Sequence, residues 1–492
     1  MKKNTKRFSI GLKAIFLLLV TVFVFFPACK LSQEPKPDDL ELTASADSDD
    51  EDGVLAQLPD MDFGGEVFRI YFPYNPYSPK DKGFYTETGT GEKFNDAVFN
   101  RNAFVEDKYG VKIEARYGAD WDSMYGDLKK DVGAGDAFCD VYFSHIRAGV
   151  TGALADGLVR TWNDIPYVRF DKPWWNRSII ETLSIGDKIF FTYGSASVHD
   201  VHVLVFNKAM LKNNDLEDPY VLVRSGKWTI DKLGEMSKSV TRDLDGDGKF
   251  TVNDQYGLEF GIGWQVPVLM YSLGGTAFTK NGDGKPEFNL GTEKSQSIYE
   301  KIYDLFYTGL PAYLYYGTTT ETTNMPHIGI GSDRVLFCQY NIAMVETLRN
   351  VDVDYGILPM PKYDERQKEY TAISFTGMYC LPGTATDEKL QKTGLIMEAI
   401  CALGHQDVLP IYHDEVLKIK TARDDESSEM LDIIFSNIVF DAGHNYDILG
   451  ISNFFSELIQ KNTKNYMSEI EKIEESVKSR FDKFYEDVRE IS

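Results

Sequence analysis

Asp243, Asp245 and Asp247 stand at alternate positions, Gly248 follows, and Lys249, Thr251 and Asp254 complete a stretch of twelve residues. Acids at loop positions 1, 3, 5 and 12 with glycine at 6 match the EF-hand calcium loop. A tight loop turns three short carboxylates inward, Gly248 permits the sharp bend, the Lys249 carbonyl offers a backbone oxygen, and Asp254 closes the shell. Position 12 is Asp where the motif prefers Glu, so its reach is shorter. The alternative is an acidic Asx-turn loop that binds nothing. No partner helix precedes the loop in the usual EF-hand style, so the stretch reads as a structural calcium clip and not a sensor.

His199 and His202 offer imidazoles, but their surroundings alternate as a strand. Residues three apart then point to opposite faces and cannot share one ion. Asp200 lies where one extended segment passes into the next, and is a candidate acceptor for a polar ligand. The chain holds six Trp, 28 Tyr and 31 Phe. Most must be core, but Trp174 and Trp175 follow Pro173, Trp264 sits between Gly263 and Gln265, and Tyr340 precedes Asn341. Flat rings beside hydrogen-bonding groups suit sugars, whose faces are apolar and whose rims are hydroxyls. The sequence carries no HExxH, GxSxG, GxxxxGK[ST] or complete GxGxxG motif. A carboxylate pair for glycoside hydrolysis stays possible among 76 acids.

These groups need a scaffold, and 492 residues suit two large domains or three small ones. Hydrophobic residues at 43% and charged residues at 26% are ordinary globular usage. The 52 Lys+Arg stand against 76 Asp+Glu, a net charge of −24, which argues against nucleic acid as a partner. Lys2, Lys3, Lys6, Arg7 and Lys13 flank an apolar run at 14–26, too short to span a membrane but suited to a secretory signal. It ends in Phe26-Pro27-Ala28-Cys29, which resembles a bacterial lipobox with Cys29 as the lipidated residue. Residues 1–28 are thus expected to be a signal peptide, and residues 29–59, rich in Pro and Asp with little to bury, a disordered acidic tether. The other cysteines, Cys139, Cys338, Cys380 and Cys401, show no paired spacing and read as buried thiols.

From residue 60 the pattern is α/β. Residues 66–72 and 111–117 alternate as strands. Between them Phe94, Ala97, Val98 and Val105 share a helical face that stops at Tyr109-Gly110. A helix-length stretch at 121–132 leads to a short strand at 140–143. Residues 188–206 read as two extended runs broken at Gly194-Ser195. Thr229 caps a helix bearing Leu233, Met236 and Val240, and Ile298, Ile302 and Leu305 define another that Gly309 closes. Ile470, Ile473, Val477, Phe481, Phe484, Val488 and Ile491 keep helical spacing to the end. Strands alternating with helices imply parallel sheets with helices on their faces.

Several stretches together resemble the extracellular solute-binding proteins, family 1, of carbohydrate ABC importers, the maltose-binding type. They are Thr90-Gly91-Glu92-Lys93-Phe94-Asn95-Asp96-Ala97 with Arg101-Asn102, Leu204-Val205-Phe206-Asn207-Lys208, and Gly226-Lys227-Trp228-Thr229 running into the aspartate loop and Asp254-Gln255-Tyr256-Gly257. Leu273-Gly274-Gly275, the run from Asp354-Tyr355-Gly356 to Pro361-Lys362-Tyr363, and Arg423-Asp424-Asp425-Glu426-Ser427 follow in order. The resemblance implies a two-lobed, periplasmic-binding-protein-like (type II) α/β fold with a hinge and an interlobe ligand cleft. It places residues 60–200 with 375–440 in an N-terminal lobe and 201–374 with 441–492 in a C-terminal lobe. It puts Asp200 at the first crossover as a ligand contact, Trp264 as a sugar-stacking ring, and Ser144 and His145 in a contacting loop. Trp174 and Tyr340 join the candidate ligand residues, while Trp175 matches a structural position. His145-Ile146-Arg147 departs from the acidic pattern of the maltose-binding relative. The implied function is capture of a sugar or oligosaccharide for a membrane permease, by a monomer lipid-anchored outside the bacterial cell membrane. A surface carbohydrate hydrolase, or a same-fold binder of a peptide or other polar solute, are the alternatives.

Overall fold

The computed structural model describes residues 53–74, 83–120, 122–144, 149–163, 165–263, 265–282, 284–315, 328–374, 377–414 and 424–491. The alternation at 66–72 folds as the strand Glu66–Phe72, with Phe68, Ile70 and Phe72 buried. It pairs in parallel with Val111–Tyr117. A parallel pair needs a long crossover, and the helix Lys93–Tyr109 supplies it, burying Val98 and Val105. Gly110 ends that helix with a positive φ of 59°. A side chain there would drive its Cβ to 1.9 Å from Asp62 Oδ1. The first sheet runs in the order Val111–Tyr117, Glu66–Phe72, Val141–Ser144, Met378–Pro382, Val159–Arg160.

The second sheet runs Tyr355–Leu358, His202–Asn207, Val335–Asn341, Tyr256–Gly261, Tyr313–Tyr315, and mixes parallel with antiparallel pairs. Its central strands His202–Asn207 and Val335–Asn341 are buried along their whole length, because both faces are covered. Residue 192 bridges Tyr379 of the first sheet, whereas the strand from His202 belongs to the second, so the chain passes between sheets at 193–201. A second segment lies beside this passage at 372–374, where Val201 bridges Ser374 and Ala372–Ile373 pairs with Ile438–Val439. Two lobes joined by crossing segments follow from this topology.

Two details differ from the expected boundaries. Residues 53–59 were expected in the tether, yet Leu58 is buried and Arg169 donates to the Val54 carbonyl and Gln57 Oε1. The helix Asp425–Ser436, expected with the first lobe, packs on the second sheet. Its Ser427 Oγ accepts from the Ile357 N–H at 3.0 Å, and the preceding Asp424 accepts from Tyr220 OH and Lys208. Cys139, Cys338, Cys380 and Cys401 are buried and free.

Candidate functional site

The first crossover brings polar groups from distant segments together. Asn341 Nδ2 donates to Asp200 Oδ2 at 3.2 Å, and His199 Nδ1 lies 3.2 Å from Ser374 Oγ. Asn341 also caps the short helix Ile342–Val345, its Oδ1 accepting from the Met344 N–H at 2.9 Å. Tyr193 stacks on Tyr379 at 5.8 Å and meets the His199 ring at 4.4 Å, and Ser197 Oγ lies 2.6 Å from Tyr379 OH. Loss of water, with the neighbouring His413, holds the His199 imidazole down to about 3, so it is neutral at physiological pH. The Tyr412 phenol stays well above its usual value because it is buried and faces Glu346 and Asp200. Its ring lies 5.1 Å from Phe94 of the first lobe, and its hydroxyl donates to Glu346 Oε1 at 3.3 Å. Asp200 therefore sits among hydrogen-bonding and aromatic groups from both lobes. The two histidines turn to different partners: His202 Nδ1 faces Gln339 Nε2, while His199 Nδ1 faces Ser374 Oγ.

Other candidates fall elsewhere. Tyr340 is core, with 3% exposure, and its hydroxyl accepts from the Ile330 N–H at 3.2 Å. Successive strand residues face opposite ways, so it is Asn341, next along, that reaches Asp200. Trp174 is also held in place: its Nε1 donates to Glu398 Oε1 at 3.0 Å, and the Arg169 guanidinium lies over its ring at 5.1 Å. Trp175 Nε1 donates to the other oxygen at 2.7 Å, and Arg169 adds its Nε and backbone N–H, so the fully buried Glu398 carboxylate has four donors. The two indoles, His199, His405 and His413 line a cavity of about 290 Å³. Ser144 ends its strand buried, with no hydrogen-bond partner for its Oγ among the described residues. His145, Trp264 and Cys29 lie outside the described residues.

Contrary to the expectation that no partner helix precedes the aspartate loop, the helix Ile230–Val240 ends just before Asp243; its N-cap is Thr229, as expected. The loop is closed by a strand-like bridge, with Arg242 and Gln255 exchanging backbone bonds of 2.9 and 3.1 Å, where an EF-hand would use a second helix. Carboxylate oxygens of Asp243, Asp245 and Asp247 come within 4.8 Å of one another. The Asp247 N–H lowers the Asp245 pKa, but loss of water and the side chains of Asp247 and Asp243 outweigh it and leave the pKa raised. Asp254 is turned inward, held below its usual value by the N–H groups of Leu244 and Thr251. Lys249 gives its own N–H to Asp247 at 2.7 Å.

No known family profile and no curated protein sequence matches the chain. Among solved structures the likeness is one of fold. UgpB from Mycobacterium tuberculosis, in complex with glycerophosphocholine, is 11% identical with a TM-score of 0.55, over 85% of this chain and 99% of that one. An ABC substrate-binding protein from Listeria monocytogenes in complex with cycloalternan is 10% identical with a TM-score of 0.53, over 85% and 99%. The GacH receptor of Streptomyces glaucescens, solved unliganded and with acarbose, is 12% identical with a TM-score of 0.52, over 87% and 100%. The chain has the two-lobed α/β fold of these substrate-binding proteins along nearly their whole length.

Proposed function

We propose that this protein is the substrate-binding component of an ABC importer, which captures a sugar or oligosaccharide between its lobes and delivers it to a membrane permease. The observation that carries the reading is the full-length fold likeness to substrate-binding proteins with bound saccharides, such as the one holding cycloalternan. The setting of Asp200, joined to Asn341 at the crossover, adds a carboxylate that accepts solute hydroxyls by charge-assisted bonds. A thermal-shift screen against a glycan panel, followed by analysis of the recovered glycan, tests it. One oligosaccharide should raise the melting temperature and be recovered intact; a cleaved product would make the protein a hydrolase.

Two further elements belong to this reading. Cys29 carries lipid after removal of residues 1–28, which tethers the protein outside the cell membrane; among the described residues no helix is long and apolar enough to cross it. Cys29→Ser should release the protein into the medium, and retention would refute the anchor. The loop holds one structural calcium through Asp243, Asp245, Asp247, the Lys249 carbonyl, Thr251 and Asp254. The donor set fits a hard cation, since three crowded carboxylates repel one another without one. Bound calcium supplies charge neutralisation there, while the chain's own N–H groups hold the acids in place.

A further inference from the structure

The last helix, Tyr466–Arg489, touches both lobes. In its final turns the Tyr485 hydroxyl accepts from the Gly186 N–H at 2.8 Å and donates to the Gly284 carbonyl at 2.8 Å. Gly186 lies in the turn after the helix Arg177–Leu183, which hangs on the first sheet through the Asn176 N–H on the Tyr193 carbonyl and the Thr192–Tyr379 bridge. Gly284 lies in the hairpin of Phe278–Lys280 and Pro286–Phe288, which follows the helix Val266–Ser272 of the second lobe.

That hairpin makes a second tie. Lys280 Nζ donates to the Glu181 carbonyl at 2.5 Å and to Ser184 Oγ at 2.7 Å. Tyr446, just past the crossing segment Ile438–Val439, makes a third by donating its hydroxyl to the Leu183 carbonyl. Carbonyls in the last turn of a helix lack intrahelical partners and sit at its negative end. Groups from outside the first lobe therefore satisfy the end of a first-lobe helix, and the three ties converge on residues 181–186. Beside them a half-open cavity of about 420 Å³, lined by Phe278, Phe440, Tyr446 and Phe481, leaves this helix end unpacked on one side. The helix end thus has room to move once the bonds let go.

Rotation of two lobes about crossing segments must break or slide every bond that spans them. We propose that Tyr485, Lys280 and Tyr446 form a latch that holds the lobes in the arrangement described here, and that its release is a necessary step in any interlobe movement. The latch goes beyond the solute-binding reading and does not rest on it.

The test uses the full chain without ligand, as wild type, Lys280→Met, Lys280→Arg and Tyr485→Phe, measured by hydrogen exchange and small-angle scattering. Lys280→Met leaves the Gly186–Tyr485 bond chemically intact. If the ties act as one unit, it should nevertheless speed exchange across residues 184–188 by about tenfold, the scale of one hydrogen bond, and change the radius of gyration. Lys280→Arg, which keeps the donors, should restore wild-type behaviour, and Tyr485→Phe should match Lys280→Met. Unchanged exchange at 184–188 in Lys280→Met, with an unchanged scattering curve, would overturn the latch. So would acceleration that spreads equally to the helix Lys93–Tyr109, because it reports general unfolding.

Discussion

The aspartate loop and the crossover around Asp200 both gather polar and acidic groups, and they are built in opposite ways. In the loop, the N–H donors on the acids come from the loop itself: Gly246 and Gly248 onto Asp243, Asp247 onto Asp245, Lys249 onto Asp247, and Leu244 and Thr251 onto Asp254. At the crossover, Asp200 meets Asn341, His199 meets Ser374 and Ser197 meets Tyr379, segments that only the finished fold brings together. A local cluster holds its shape whatever the lobes do. An assembled one reports on their arrangement, which a site that must sense solute between two lobes requires.

The sharpest way to break this contrast is at Glu398, the carboxylate beneath the crossover that anchors Trp174, Trp175 and Arg169. Removing one partner of a buried charged network costs about 3–5 kcal/mol. Glu398→Gln should therefore lower the urea midpoint strongly, whereas Asp245→Ala, at an exposed loop position, should shift the cation-free midpoint only slightly. Equal shifts would erase the distinction between local and assembled regions.

Calcium removal sharpens the same contrast. A cation at about 100 times its dissociation constant adds about 2.7 kcal/mol to stability. Chelator should lower the melting temperature of wild type and leave Asp245→Ala unmoved; the same loss in both would show that the loop does not hold the metal. The smallest effect is in pH. The raised Asp245 pKa means the folded, cation-free protein holds that proton more tightly than the unfolded chain does. Its stabilising contribution is complete below the unfolded value of about 3.9 and is lost as pH rises through the folded value. Without calcium, Asp245→Asn should melt slightly above wild type at pH 7 and lose that advantage at pH 3. A constant difference across this range would contradict the repulsion argument.

Local rules made much of the scaffold legible. Glu66–Phe72 and Val111–Tyr117 were readable because each alternates and Gly110 punctuates the helix before the second. Thr229 announced its helix as an N-cap, and the 3–4 spacing from Ile470 to Val488 announced the last one. The aspartate loop was readable because all its parts are consecutive. The crossover was less so. Val335–Asn341 is buried on both faces, so alternation could not say whether Tyr340 or Asn341 faced Asp200; the N-cap role of Asn341 before Ile342–Val345 was the available signal. Trp174 looked available beside Pro173 because nothing local announces Glu398, more than two hundred residues away. Tyr485 was not among the residues that the spacing of the last helix singled out, since its partners Gly186 and Gly284 lie as far off in sequence.

The central claim is that solute binds between the lobes and draws on Asp200. Small-angle scattering during titration with the oligosaccharide that raises the melting temperature, on wild type and Asp200→Asn, tests it most directly. Charge-assisted hydrogen bonds contribute about 1.5–3 kcal/mol each, so the variant should need about 10–100 times more sugar to reach the same change in radius of gyration. A titration midpoint in Asp200→Asn equal to wild type, or sugar binding with no change in radius in either protein, would contradict the account.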